Sequence, residues 1–582
     1  MKHFSKLLLV GIVLALLSLT AVSVLAQAGE GGVLVTDNIG DDPATFNPIT
    51  CNDTVCSLVT GWLYPGIIGL DPATGSPAPM VPGNVAESWA YDDSGTVLTI
   101  NLRQDLAWND GTPITSADYM WSITAVKSGL TSSPRTSMFM TLDDGTPAGG
   151  NITNIEAPDD YTVVVTFDHP DCSSFNDVND LPLVPAHVFS ELYGTDYASL
   201  DADPLAIPTV SFGPFKDIDF SPNERVSLIA DPAYPDTVLG YVSPSEWVYK
   251  SVPDTTVSVE QFLAGEITYT GIPAERQADV AATEGVKTFE FSQNGFQYMG
   301  FNLADPTNPQ NGLDEEGNAI DQGHHPIFGD VRVRQAIAHA VDVDAMIQGI
   351  LDGRGTRINT HTIPTSWTYD PNLEGFALDQ EAALALLAEA GWVDDDNDVS
   401  TPLVATEDAL YAEAGTPLEF TLQTNAGNLA RERIGQTIQS QLAEIGIKVN
   451  FEAIEFGTLV DILTGQTFDA IIIGWSLGLP VDPDLAWAYG PEGDLVGAGF
   501  AFTSYNNPVF NELMEQGKTI PGCDIEARTA IYQEANAILA NDLPYLYLYA
   551  ANVMYAAQEG VENWDPYPNF QQWNIDAWSV ND

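Results

Sequence analysis

The chain has 582 residues, of which 45% are apolar and 10% aromatic, a composition typical of a globular protein with two or three compact units. Its formal net charge of −62, from 19 basic and 81 acidic residues, excludes most polyanionic partners, because so few cations cannot neutralise phosphates. We therefore expect no nucleic-acid ligand, and solvation in a salty or acidic exterior accounts for the acidity better than steering of a ligand.

The N-terminus predicts a secretory signal peptide over residues 1–28. Basic residues precede the apolar run Leu7–Leu19, and small-residue cleavage sites follow at Ala26 and Ala28. An uncleaved membrane anchor is the alternative, but the apolar run is short for a membrane span. Because no cysteine stands at the cleavage site, we expect no lipid anchor and an exported protein, periplasmic or extracellular.

Four cysteines in a chain bound for an oxidising compartment predict disulfides, with three alternative pairings. A bridge needs Cα atoms within about 7 Å, whereas the five steps from Cys51 to Cys56 span about 16 Å when extended. We expect either a turn with a local Cys51–Cys56 bridge, which we prefer, or pairing of one or both with Cys172 or Cys523.

The first third of the chain is predicted to be rich in strands. Apolar residues alternate over Leu98–Leu102 and Val163–Phe167, and each run follows a turn cluster. Residues 201–295 contain many prolines, which favours loops and edge strands. From about Phe301 helices and strands alternate, so the sequence predicts an α/β fold class.

Two helix starts are predicted in this α/β part. Asp330 can cap a helix that runs on to Ile347. Asp379 can cap a second helix, with Leu384 and Leu387 facing inward.

A third helix with Ile434–Ile445 on one face leads into an alternating strand, Ile447–Ala453, and a further strand follows at Asp469–Gly474. The insertion Asp305–His325 is rich in Asn, Gly and Asp and predicts a surface loop.

Residues Gly474–Gly478 match the G-x-S-x-G nucleophile elbow of serine esterases, with Ser476 as the nucleophile. That elbow needs a helix directly after the serine and a later histidine. Pro480 and Pro483 interrupt the place for the helix, and all seven histidines precede Ser476. We therefore expect no enzyme, and a secreted serine hydrolase using Ser476 stays the alternative function.

Metal sites are weakly supported. His324 and His325 have nearby acids, but their spacing fits no helix face or finger, and the C-x4-C pair has no histidine nearby. Asp394–Asp398 starts like a calcium loop, yet the required Gly is Val399 and the required Glu is Ala405. We expect a solvated hairpin there, and no metal or cofactor.

Segments along nearly the whole chain resemble, in order, the solute-binding proteins of ABC importers, family 5, the oligopeptide-, dipeptide- and nickel-binding class. The resemblance is carried by FNPITCNDTVCSLVTGWLYPGI, PGNVAESWAYDDSGTVLTINLRQDLAWNDGTPITSADYMWSI, LVPAHVF, SFGPFK, YMGFNLA, FGDVRVRQAIAHAVDVDAMI, EAALALLAEAGW, RIGQTIQSQLAEIGIKVNFE and ANDLPYLYLY. It implies a two-lobed periplasmic-binding-protein type II-like fold, with an additional subdomain in the first lobe and a hinged ligand cleft.

The resemblance and the residue patterns together divide the chain into lobes. The predicted parts are the signal peptide 1–28, lobe I first part 29–58, lobe I subdomain 59–203, lobe I second part 204–295, lobe II 296–542 and a C-terminal return to lobe I, 543–582.

The resemblance also implies a ligand site. In peptide-binding relatives the strand that ends in Gly-Trp pairs with an extended ligand, and a second segment flanks the ligand on its other side. The ligand-binding residues expected here are Asn52, Asp53, Thr54, Trp475, Ser476, Leu477 and Asp482. Many relatives place an Asp where this chain has Gly478, so we expect Asp482, or next Asp53, to hold a ligand ammonium.

The function that the resemblance implies is a receptor, expected to be a monomer, that delivers an oligopeptide or dipeptide to a membrane permease. Oligosaccharides, opines and metal chelates are bound by other members of the same class and stay open as ligands.

Overall fold

The computed structural model describes residues 29–581 except 40–41, 253, 315, 397, 399–400, 478–482 and 498. The predicted signal peptide therefore lies outside the described residues. The chain folds into two compact units. Unit 1 contains the chain up to Glu290, Pro521–Cys523 and Val553–Asp582, and unit 2 contains Phe291–Ile520 and Asp524–Asn552. The finer lobe and subdomain boundaries stay predictions.

Unit 1 is rich in strands. Its strands are β1 (Val33–Ile39), β2 (Gly69–Leu70), β3 (Pro77–Ala78), β4 (Ala86–Tyr91), β5 (Val97–Leu102), β6 (Ile152–Asp159), β7 (Thr162–Phe167), β8 (Phe215–Ser221), β9 (Arg225–Ala230), β10 (Glu246–Val252), β11 (Tyr269–Ile272) and most of β12 (Val286–Ser292). Its helices are α1 (Thr54–Gly61), α2 (Ser116–Lys127), α3 (Ser174–Asp180), α4 (Ala186–Tyr193), α5 (Thr255–Leu263) and α6 (Gln277–Ala281). Short 3-10 helices lie at Pro134–Met138, Tyr197–Asp201, Ala274–Arg276 and, in the later segments, Pro521–Cys523 and Ile575–Ala577.

Unit 2 alternates helices and strands. Its strands are β13 (Gly295–Phe301), β14 (Gly355–Arg357), β15 (Trp392–Val393), β16 (Val404–Ala405), β17 (Glu419–Asn425), β18 (Lys448–Ile454) and β19 (Ala470–Ser476). Its helices are α7 (Val331–Ala340), α8 (Val343–Leu351), α9 (Gln380–Glu389), α10 (Leu429–Ala443), α11 (Phe456–Thr464), α12 (Ala486–Tyr489), α13 (Pro508–Thr519) and α14 (Ile525–Asp542). Strand β20 (Tyr545–Gln558) contributes its first part to unit 2 and its second to unit 1, which β21 (Val561–Glu562) and β22 (Ser579–Val580) complete.

Two sheets organise unit 1. In the larger one the strands follow the order β20, β11, β1, β10, β9, β8, with β1 parallel to β10 and β11 and the other pairs antiparallel. A separate antiparallel sheet has the order β4, β5, β7, β6, and it contains both alternating runs predicted from the sequence. These strands, and the α/β alternation of unit 2, confirm the predicted α/β class.

The sheet of unit 2 has the order β18, β17, β19, β13, β20, with β14 also paired to β20. Its central strands are apolar on both faces because each face meets a different core. In β13, Met299 belongs to one buried cluster and Tyr298 to the other, and in β19 the same holds for Ile472 and Ile471. Burial on both faces accounts for the continuous apolar run of β19.

The helix predicted from Asp330 to Ile347 is two helices. Asp330 caps α7 as predicted, since its carboxylate accepts from the Arg332 N–H. Val341 is extended, however, and the Asp342 carboxylate accepts from the Ala345 N–H at 2.8 Å, so a new helix starts. The cap residue inside the run ends one helix and begins the next.

The predicted inward face of α9 is partly wrong. Asp379 caps this helix, as expected, by accepting from the Ala382 N–H. Leu387 is fully buried, but Leu384 is 46% exposed, and its neighbour Ala383 is buried instead. Ala383 and Leu387, four residues apart, form the buried stripe.

The expected loops are present. No helix or strand occurs in the described part of 305–325, which agrees with the surface-loop prediction. Strands β15 and β16 pair antiparallel around the acidic run, which confirms a hairpin there. Within the described residues, no helix combines the length and apolarity needed to cross a membrane.

All four cysteines belong to unit 1, so both disulfides lie within this unit. Cys51 pairs with Cys56 at a Cα–Cα distance of 5.9 Å, and Cys172 pairs with Cys523, 351 residues later. The preferred local bridge is therefore confirmed, and a turn shortens the Cys51–Cys56 span as the geometry requires.

Candidate functional site

The end of β19 has a strand neighbour on one side only. Toward β13 the pairing continues to the last residue, with Gln297 opposite Gly474 and Gly295 opposite Ser476. Toward β17 the described register stops at Ile471, and the Thr424 hydroxyl then donates to the Ile472 carbonyl. The backbone of Gly474–Ser476 thus forms an open edge in the described part of unit 2, and such an edge can pair with an extended chain.

Trp475 lies half-buried at this edge, between the tyrosine-rich core and a surface of aromatic rings. Its ring is stacked with those of Tyr298 and Phe502, at centroid distances of 6.4 and 6.0 Å. On another side it meets Trp487 at 5.0 Å and Phe500 at 5.7 Å, both edge-to-face. The core contacts fix the indole in one orientation, which makes it a preorganised wall.

A buried network of tyrosines and His361 supports this wall from behind. Tyr298 and Tyr545 stack with centroids 4.0 Å apart, and the Tyr489 hydroxyl lies 2.9 Å from that of Tyr547. His361 Nδ1 lies 3.1 Å from the Tyr489 hydroxyl, and burial lowers the pKa of this imidazole to about 3. A group with this pKa stays neutral and is a poor general base near neutral pH, so His361 has a structural role.

Arg431 lies in the first turn of α10 and reaches the residue opposite Gly474. Its Nε donates to Gln297 Oε1 at 2.9 Å and its Nη1 to Asn425 Oδ1 at 2.8 Å. Burial lowers the pKa of the guanidinium, and no carboxylate of the described residues forms an ion pair with it. A half-buried cation held by neutral amides retains donor capacity for an anionic group.

Position 474 requires glycine because the side chain of Gln297, on the neighbouring strand β13, lies directly over it. A Cβ at this position would lie 2.4 Å from Gln297 Nε2 and 2.7 Å from the Phe296 carbonyl oxygen. The close approach lets Gln297 lie against the strand and hold Arg431 at its end.

The structure places the expected site residues in two groups. Trp475, Ser476 and Leu477 lie together at the end of β19 in unit 2, where the Asn294 side chain donates to the Leu477 carbonyl. Asn52, Asp53 and Thr54 lie together in unit 1 at the start of α1. Asp482 lies outside the described residues.

Asp53 is already engaged locally. It caps α1, since its Oδ1 accepts from the Cys56 N–H at 2.7 Å and its Oδ2 from the Ala44 N–H at 3.1 Å. Thr54 is the first residue of the helix, and Asn52 is exposed just before it. A carboxylate with two backbone donors is a weaker candidate for an additional ammonium than a free one.

In the described residues, the side chains of the histidine and aspartate motifs make other contacts. Within the described ranges no three His, Cys, Asp or Glu side chains are grouped to hold a metal ion. His325 instead links backbone segments: its Nδ1 accepts from the N–H groups of Ile327 and Phe328, and its Nε2 lies 3.2 Å from Asp469 Oδ1.

Gln297, Trp487 and Phe500 were not among the site residues predicted from the sequence. Gln297 could have been recognised, because it is a polar residue within an apolar strand, and a polar side chain in a strand buried on both faces requires a hydrogen-bonding partner. Trp487 and Phe500 follow the site strand closely, but only the fold brings them to Trp475.

Comparison with known proteins decides the family. The model of the bacterial extracellular solute-binding proteins, family 5, matches residues 81–494. The chain belongs to this family. The family's members are binding proteins, which agrees with the expectation of a solute receptor and leaves the nucleophile match of Ser476 without support.

Relatives of this family 5 protein have peptide-binding names. The oligopeptide-binding protein AppA of Bacillus subtilis is 26% identical over 555 residues, covering 94% of this chain and 92% of AppA. The probable D,D-dipeptide-binding periplasmic protein DdpA of Escherichia coli is 24% identical over 543 residues, covering 92% of each.

Solved structures confirm the periplasmic-binding-protein fold of this family 5 chain. AppA from Bacillus subtilis in complex with a nonapeptide has a TM-score of 0.59 at 24% identity, covering 95% of this chain and all of that one. HbpA2 from Haemophilus parasuis has a TM-score of 0.72 at 20% identity, covering 94% of this chain and all of that one.

Proposed function

We propose that this protein is an exported receptor that captures a short peptide and delivers it to an ABC-type permease in the membrane. The proposal of a peptide ligand is supported most directly by the open edge of β19, which lies beside the Arg431 guanidinium. A bound peptide needs main-chain hydrogen-bonding partners along its length and a charged partner at each end. This region offers main-chain partners and one charged partner, the Arg431 guanidinium.

The backbone of Gly474–Ser476 pairs with the peptide main chain. Main-chain pairing gives affinity without reading side chains, which suits a receptor for peptides of varied sequence. Trp475 supplies a fixed apolar wall beside the paired strand.

Arg431 binds the carboxylate at the peptide C-terminus. Its Nε and Nη1 are held by Gln297 and Asn425, so the side chain is already ordered before the ligand arrives. A charge-assisted hydrogen bond from such a group contributes about 1.5–3 kcal/mol.

The peptide ammonium pairs with Asp482. Asp53 is the second candidate, because its carboxylate already caps α1. Peptides with a free ammonium group then bind better than ligands without one. N-acetylation of a peptide should lower its binding affinity tenfold to a hundredfold, and Asp482→Asn should abolish the difference between the free and the acetylated peptide.

The signal peptide, the export and the absence of a lipid anchor belong to the same proposal. They rest on the apolar run Leu7–Leu19, on the alanines at the cleavage site and on the absence of a cysteine there. The receptor is a monomer, and the permease is its membrane partner.

Calorimetry with a peptide and its C-terminal amide tests the role of Arg431. The wild type should prefer the free carboxylate about tenfold or more, and Arg431→Gln should lose that preference. Arg433→Gln is the matched control, since Arg433 is exposed two residues later on the same helix. An undiminished preference in Arg431→Gln would show that the carboxylate is bound elsewhere, and binding of oligosaccharides in place of peptides would replace the ligand class.

A further inference from the structure

Three aromatic rings beside the open strand edge form one surface, here called the aromatic face: Trp475, Trp487 and Phe500. Each ring is nearly perpendicular to the other two. The centroid distances are 5.0 Å for Trp475–Trp487, 5.7 Å for Trp475–Phe500 and 5.9 Å for Trp487–Phe500, with interplanar angles of 86°, 82° and 85°. Edge-to-face packing of this kind holds each ring by its neighbours.

The aromatic face is exposed although its residues are among the most apolar in the chain. Trp487 is 37% exposed and Phe500 55% exposed. The same segment exposes Leu495 and Val496 while Asp494 is turned inward, 1% exposed and bonded to the side-chain amides of Gln466 and Gln322. This inverts the usual preference of apolar residues for the interior and of carboxylates for water.

The backbone of this segment is tightly wound, so the inverted arrangement is fixed by the fold. A Cβ at Gly493 would lie 2.2 Å from the Trp487 carbonyl oxygen, and one at Gly499 would lie 2.1 Å from that of Gly493. The Ala501 N–H also donates to the Gly493 carbonyl at 3.1 Å. Only glycine permits these approaches, which bring Phe500 back to Trp487.

We propose that the aromatic face is a specificity site that selects ligands with a large apolar side chain, phenylalanine or leucine being the best fits. This inference rests on the proposed peptide-binding function and deepens it. A peptide paired with β19 places alternate side chains on the same side of the strand. One of them contacts Trp475 and covers the exposed surfaces of Trp487 and Phe500.

The indole N–H of Trp475 is buried, so the three rings offer a guest side chain apolar surface and no hydrogen-bonding partner beyond the indole N–H of Trp487. A larger apolar side chain binds more tightly because more of its apolar area is removed from water, whereas a carboxylate would lose its hydration there. In an apolar pocket such differences in size change affinity by about tenfold to two-hundredfold.

The test is calorimetry of tripeptides in which one alanine of Ala-Ala-Ala is replaced by Phe, Leu, Lys or Glu, at each position in turn. At one position Phe should bind at least about tenfold more tightly than Ala, and Glu more weakly than Ala. Phe500→Ala and Trp487→Ala should each reduce the Phe-to-Ala affinity ratio about tenfold.

Phe456→Ala is the matched control, since Phe456 is 53% exposed at the start of α11 in the same unit. It should leave the Phe-to-Ala ratio unchanged, and an equal loss in this variant would overturn the site assignment. Tripeptide binding without a preference for Phe, or with a preference for Lys over Phe, overturns the aromatic selectivity alone. Failure of every tripeptide to bind, together with failure of dipeptides, tetrapeptides and pentapeptides, overturns the proposed function itself.

Discussion

Asp576 is a buried carboxyl group whose pKa links stability to pH. Its Oδ2 accepts from the Val238 N–H at 2.9 Å, but burial dominates and, with the nearby Asp236, raises the pKa to about 6. The folded protein therefore holds this proton more tightly than the unfolded chain does. The stability from the protonated group is complete below about pH 4 and is lost as the pH rises through about 6.

We expect Asp576→Asn to remove this dependence, because an amide oxygen can still accept from Val238 without ionising. Relative to wild type, the variant should gain on the order of 2 kcal/mol of unfolding free energy between pH 4 and pH 7.5. Urea unfolding at the two pH values measures the difference. Parallel pH profiles for the two proteins would show that Asp576 does not titrate in this range.

Local signals in the sequence predicted individual residues well where the partner is a near neighbour. Asp330 and Asp379 cap helices as expected, because an N-cap acts on backbone groups two or three residues away. The burial of Leu384 was predicted wrongly, since the side of α9 that turns inward depends on α7, far away in the chain. The role of Gln297 also required the fold, because Arg431 is 134 residues distant.

At the scale of elements, Arg334 ties α7 to the end of α14. This buried side chain donates from Nε and Nη2 to the carbonyl of Asp542, the last residue of α14, and from Nη1 to the carbonyl of Phe328. Arg332, two residues earlier, is half-buried and pairs with Asp330 instead. The sequence Val-Arg-Val-Arg does not distinguish the two arginines, so only the packing of the helices identifies the structural one.

Arg334→Met should leave the buried Phe328 carbonyl and the partly buried Asp542 carbonyl without the guanidinium donors, and lower the unfolding free energy by about 2–4 kcal/mol. Denaturant unfolding measures this loss. The exposed Arg433→Gln serves as the control and should change stability by less than about 0.5 kcal/mol. A loss in Arg334→Met no greater than in the control would mean that water replaces the guanidinium.

At the scale of the whole molecule, the sequence predicted the α/β class and the family, because patterns and segments along most of the chain agree. It left the cysteine pairing open, since a bridge between residues 351 positions apart depends on the complete fold. It also could not place the aromatic face, whose three rings come from β19, α12 and the loop after it. Such arrangements arise from tertiary packing and have no local pattern.

The two disulfides should contribute unequally to stability. In the chain-entropy model, a bridge across 351 residues constrains the unfolded chain by about 6 kcal/mol, whereas the five-residue Cys51–Cys56 bridge contributes about 2 kcal/mol. Replacing Cys172 and Cys523 by Ser should therefore lower the denaturation midpoint more than replacing Cys51 and Cys56. An equal or reversed order would indicate that the Cys172–Cys523 bridge adds little beyond the folded contacts.

We expect this family 5 receptor to bind short peptides and to leave them intact. The most direct measurement is calorimetry of the purified protein with dipeptides to pentapeptides and, in parallel, with oligosaccharides, followed by chromatographic recovery of each ligand. We predict saturable binding of at least one peptide at one site per chain, with the peptide recovered unchanged. Cleavage of the peptide, or saturable binding of an oligosaccharide with no peptide bound, would contradict the proposed function as a peptide receptor.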